Sequence, residues 1–120
     1  MLFSIDGGPV THEPYEREFR KWRSQISDAD YQAMVDAINS YVGARTEPFC
    51  TSWMPGEAPA IDAAFPPLTA ACGGNEDASG LFFGNIVWRE MMRRPDRWYF
   101  KRAEKEGENW RGVTYWRRDD

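Results

Sequence analysis

The stretch ACGGNEDASGLFFG, Ala71 to Gly84, places a cysteine, a glycine pair and two adjacent acids ahead of an apolar run. Such a stretch can be a reactive or phosphate-cradling loop, or simply the start of a helix. A phosphate cradle needs free backbone N–H groups and usually a nearby cation. Here Asn75 is a good N-cap, and Glu76 and Asp77 already occupy the positive helix end, so the stretch reads as a helix start. The same two acids oppose any lowering of the Cys72 thiol pKa, which makes Cys72 a structural thiol.

The other residues with chemical potential are few. His12 is the only histidine, so a triad or a histidine-based acid–base pair must use it. Its polar surroundings near an expected helix start favour a solvent-facing role. Cys50, close to Phe49 and Trp53, reads as a core residue. The two cysteines show no CxxC or histidine-rich spacing, so no metal site and no cofactor are expected. Asp28 and Asp30 are explained by capping a helix, and Glu76 and Asp77 by capping another. Asp62 stands apart as the one acid between Ile61 and Ala63 in an apolar, proline-rich segment. Burial in a pocket would raise its pKa and fit it for acid–base work, whereas an exposed loop aspartate is the plainer reading.

These residues sit in a chain of 120 residues with 42% apolar and 15% aromatic content, six tryptophans among them. That length and composition predict one folded domain over 1–120 with a real core. No apolar run of about 18 residues is available for a membrane span. The N-terminal MLFSIDGG lacks the basic region and apolar length of a signal peptide, so a soluble cytoplasmic protein without a membrane partner is expected. Charge is unevenly spread. Residues 1–88 carry 5 basic and 12 acidic groups, net −7, whereas residues 89–118 carry 10 and 5, net +5.

Periodicity predicts the elements that must position these groups. A short strand is expected over Leu2 to Ile5, ending in the turn signal DGGP. A helix opens at Thr11 or His12 and carries Tyr15, Phe19, Trp22 and Ile26 at helical spacing, with Pro14 tolerated in its first turn. Ser27 with Asp30 resembles a capping box for a second helix, whose stripe of Tyr31, Met34, Val35, Ile38, Tyr41 and Val42 ends at Gly43. Phe49 to Met54 reads as a strand. Four prolines then break residues 55–68 into a loop. A long helix follows from Asn75 to the residues before Pro95, apolar on more than half its circumference and hence packed on several sides. Gly80 and Gly84 each weaken that helix by roughly 1 kcal/mol relative to alanine, which predicts a compensating close approach by a neighbour.

The last element, RWYFKRAEKEGENWRGVTYWRR, reads as a β-hairpin turning near Glu106 and Gly107. An even loop puts Trp98, Phe100, Val113 and Tyr115 on one face, and Tyr99, Lys101, Trp110, Thr114 and Trp116 on the other. An odd loop regroups the rings without freeing either face. One aromatic face must pack on the long helix. The second is either covered by another element or exposed as an interface.

The fold expected is therefore α+β: two N-terminal helices, a long central helix and a C-terminal β-hairpin in a small antiparallel sheet. The leading functional expectation is a small non-catalytic binding or assembly module, homo-oligomeric, that uses the hairpin and the proline loop as its contact surface. Its binding residues would be Tyr99, Lys101, Trp110, Trp116, Asp62 and Phe65. A competing expectation is a small-ligand-binding protein or enzyme in which Trp53, Phe65 and Trp88 line a pocket near Asp62 and Cys72. A third is single-stranded nucleic-acid binding through the basic hairpin, where Arg97, Lys101, Arg102, Arg111, Arg117 and Arg118 are interleaved with rings. The pI near 5 and the acids Glu104, Glu106 and Glu108 at the hairpin tip disfavour that third reading.

Overall fold

Helix α4, Glu76–Arg93, is the central element of the computed structural model, which describes residues 1–6, 8–54, 57, 59–61, 65–102 and 113–118, with 52, 59 and 102 by backbone alone. The Asn75 side chain accepts from the Ala78 N–H at 3.0 Å and so starts the helix as the sequence predicts. The preceding glycine pair closes helix α3, Pro66–Ala71. Gly73 and Gly74 have φ of 65° and 79°, and their N–H groups donate to Ala70 and Thr69 carbonyls. Residues with a Cβ rarely adopt that conformation, so the pair is a helix-ending turn.

Helix α4 buries Phe82, Phe83, Ile86, Val87, Trp88 and Met91 on several sides. Helix α1, Glu16–Arg23, meets it through Phe19 and Trp22, whose rings lie 5.7 and 5.5 Å from Phe82. Helix α2, Asp28–Gly43, contributes the fully buried Met34, Ile38 and Val42. Its start is the predicted one: the Ser27 hydroxyl accepts from the Asp30 N–H at 3.1 Å and donates to the Asp30 carboxylate.

A four-stranded sheet closes the other side of this core, in the order β1-β3-β4-β2. The strands are β1, Leu2–Phe3; β2, Phe49–Cys50; β3, Trp98–Arg102; and β4, Val113–Arg117. Its inner face presents Leu2, Phe49, Trp98 and Tyr115, all buried. Phe49 packs 5.6 Å from Trp98 and 5.5 Å from Tyr115, and Phe100 packs edge-on to Trp88 at 4.7 Å. The result is the expected α+β arrangement, helices on one face of a small sheet.

Several local features differ from expectation: β1 ends at Phe3 and not at Ile5, and the segment expected to be a loop over 55–68 contains a 3₁₀ turn, Pro59–Ile61, and the start of α3 at Pro66. Helix α1 starts at Glu16, because Tyr15 takes a left-handed conformation, φ 56° and ψ 39°, that ends any helical run from Thr11 or His12. The strand after Glu47 stops at Cys50, where the chain turns into a 3₁₀ segment, Thr51–Trp53. There the Thr51 hydroxyl accepts from the Val113 N–H at 3.0 Å, taking the place of a ladder bond. The sheet is mixed, since β1 pairs parallel to β3 with Leu2 opposite Trp98 and Phe3 opposite Tyr99. Finally, a Cβ built on Gly80 or Gly84 meets nothing within 4 Å, so none of the described residues makes the expected close approach.

Candidate contact surface

The hairpin pairs Trp98 with Arg117, Tyr99 with Trp116, Phe100 with Tyr115, Lys101 with Thr114 and Arg102 with Val113. Successive strand residues point to opposite faces. Tyr99, Lys101, Thr114 and Trp116 therefore share the outer face, away from the helices, as the even-loop alternative predicts. Phe3 and Cys50 lie on the same face through their pairings with Tyr99 and Thr114, and both are buried, so the face is already covered at those two positions.

On this outer face the Tyr99 and Trp116 rings lie 5.8 Å apart at 34°. The Arg118 guanidinium sits 4.1 Å from the Phe3 ring centroid and 5.6 Å from that of Tyr99. Lys101 is exposed, and Tyr99, Thr114 and Trp116 are half-buried. Phe100 and Val113, on the inner face, pack against the core, whereas Tyr99 and Trp116 do not belong to that cluster. The surface thus combines a ring pair with cationic groups.

Of the six binding residues expected from sequence, the structure brings together Tyr99, Lys101 and Trp116. Phe65 lies elsewhere: it precedes the first turn of α3 and packs, half-buried, against the helical core. Trp110 and Asp62 lie outside the described residues.

The rings of the alternative pocket occupy contrasting environments. Trp53 stands 60% exposed, while Trp88 is buried against Phe100 and donates its indole N–H to the His12 carbonyl at 3.2 Å. Cys72 is buried. Burial pushes its thiol pKa up against the opposing effect of the Ser79 hydroxyl, the reverse of what a thiolate nucleophile needs. Among the described residues, no group of three or more His, Cys, Asp or Glu side chains is placed to hold a metal ion, and no helix is long and apolar enough to cross a membrane.

A polar network behind the sheet went unnoticed in the sequence. Arg94 grips the Asp96 carboxylate through Nε and Nη2, both at 2.9 Å, and donates Nη1 to the Asn39 side-chain oxygen at 2.8 Å. Arg117 adds a contact to Asp96 at 3.3 Å and donates to the Arg45 carbonyl at 3.1 Å. Burial works to raise the Asp96 pKa. The Arg94 hydrogen bonds, the nearby Trp98 indole N–H and the charges of Arg94 and Arg117 outweigh it, and the carboxyl pKa ends below its ordinary value. This network ties α2, the turn after α4, and β4 together, and so fixes the orientation of the hairpin.

Comparison of the chain with protein-family models, with curated proteins and with solved structures finds no match in any of the three.

Proposed function

We propose that this protein is a non-catalytic binding or assembly module whose contact surface is the outer face of the sheet, and that the first occupant of that surface is a second copy of the chain. The observation that carries the reading is the Tyr99–Trp116 ring pair on the sheet face turned away from the helical core. Trp, Tyr and Arg side chains are typical of the anchoring centre of an interface, and this face carries Tyr99, Trp116 and Arg118.

Two further features support self-association through this face. The edges of the sheet are short: β1 and β2 have two residues each, and β1 is bridged on its outer side by Pro9. Strand addition at an edge therefore has little template, and contact through the face is favoured. The charge polarity of the chain, net −7 over 1–88 and net +5 over 89–118, also lets the basic hairpin of one copy meet the acidic helical half of another.

A dilution series followed by light scattering, at low and at high salt, tests the reading. A mass of at least two chains at micromolar concentration supports it. A monomer throughout the series at both salts contradicts it.

A further inference from the structure

The outer face of the sheet has an order of its own along the hairpin. Tyr99 pairs with Trp116, and Lys101 with Thr114. The Arg118 N–H donates to the Arg97 carbonyl at 2.9 Å, which carries the ladder one pair past the strand ends and sets Arg97 opposite Arg118. Side chains two residues apart on a strand share a face at a spacing of about 7 Å. The ring pair is therefore flanked by cations on both sides along the strands. The Arg118 guanidinium, 4.1 Å from the Phe3 ring centroid and 5.6 Å from that of Tyr99, lies on this face. Arg97 and Lys101 are exposed, and Tyr99, Trp116 and Arg118 are half-buried.

No carboxylate of the sheet answers these cations, since the four strands contain neither Asp nor Glu. Asp96, beside Arg97 in sequence, is taken by Arg94 and Arg117. Glu16, Glu18, Asp28 and Asp30 belong to α1 and α2, in the helical layer on the other side of the sheet. Salt screens exposed charges from one another over about 8 Å. The pI near 5 averages the two layers, whereas a ligand on the sheet meets the local field.

We propose that the outer sheet face also binds single-stranded nucleic acid. Trp116 and Tyr99 form the platform on which bases stack, and Arg97, Arg118 and Lys101 receive the phosphates to either side of it. A duplex keeps its bases stacked on one another and offers no free ring face to this platform, so the single strand is the form that fits. This occupancy rests on the reading of the outer face as the protein's contact surface, and a strand and a second copy then compete for it.

Fluorescence anisotropy with a labelled oligothymidylate of about eight nucleotides, within the size of one single-strand site, tests this on the wild type, Trp116→Ser, Lys101→Gln and Arg20→Gln. Thermal melts check that each variant folds. Saturable binding is expected, with log affinity falling by about 2 per unit of log salt, from three cations at about 0.7 each. Trp116→Ser should weaken binding roughly tenfold, the size of one lost stacking contact. Lys101→Gln should weaken it and reduce the salt slope by about 0.7. Arg20→Gln, at an exposed side chain of the helical layer, should leave both unchanged. Absence of saturable binding, equal competition by an inorganic polyphosphate of the same charge, wild-type affinity in Trp116→Ser, or a loss in Arg20→Gln as large as in Lys101→Gln would overturn the proposal. The solution mass without nucleic acid separates this occupant from the second copy. A monomer that binds the strand removes self-association alone, and an oligomer that does not bind it removes the nucleic-acid proposal alone.

Discussion

Arg94 and Asp96 hold each other on two arms across Pro95, Nε to Oδ1 and Nη2 to Oδ2, each at 2.9 Å. The pair sits where the central helix hands over to β3, and Asn39 and Arg117 extend it to α2 and β4. Its position makes it a fixed link between the helical layer and the sheet.

Asp96→Ala removes the acceptor and leaves two guanidinium groups partly buried without it. The expected cost is about 2 kcal/mol of unfolding free energy at pH 7, read by urea denaturation. Because the folded-state pKa of Asp96 is lowered, its contribution is fully present above the unfolded carboxyl value of about 3.9 and is lost as pH falls through the folded value. The difference between wild type and Asp96→Ala should therefore shrink below about pH 4. A constant difference down to pH 2 would contradict the assignment.

Gly80 and Gly84 lie in the interior of α4, and none of the described residues comes within 4 Å of where a Cβ would stand. Gly80→Ala and Gly84→Ala should each stabilise the protein, by about 0.5–1 kcal/mol, through helix propensity and reduced freedom of the unfolded chain. Thermal melts of the two variants and their combination check this. A drop in melting temperature would mean that a close neighbour does occupy that face.

The helix starts at Ser27 and Asn75 rest on single side-chain acceptors. Ser27→Ala and Asn75→Ala should each cost about 1 kcal/mol, whereas Asn75→Asp should be nearly neutral. Chemical denaturation with an unchanged m-value is the expected signature, since neither substitution alters the surface buried on folding.

Much of this fold was legible because its signals are local. Ser27 followed by Asp30, and Asn75 followed by Glu76 and Asp77, each specify a helix start within a few residues, and the aromatic and β-branched residues around Trp98 and Tyr115 mark two strands. The features that escaped depend on tertiary partners. Nothing near Leu2 announces a parallel pairing with Trp98. Cys50 ends its strand because Thr51 meets Val113, more than sixty positions away. Tyr15 carries no mark of a left-handed backbone, an unusual choice for a residue with a Cβ. For the contact surface, ring content pointed to Tyr99 and Trp116 directly, but two face groupings stood open until the register chose one. The Arg94–Asp96 pair was hidden because Pro95 reads only as a helix stop.

The outer sheet face is tested most directly by the solution mass of a Tyr99→Ser/Trp116→Ser variant beside the wild type, measured by sedimentation velocity at equal concentrations. Both side chains lie outside the core cluster, so the fold should survive, as far-UV circular dichroism and a melt would verify. An oligomer is expected for the wild type and a folded monomer for the variant. A folded variant that keeps the wild-type mass would contradict the role given to this face.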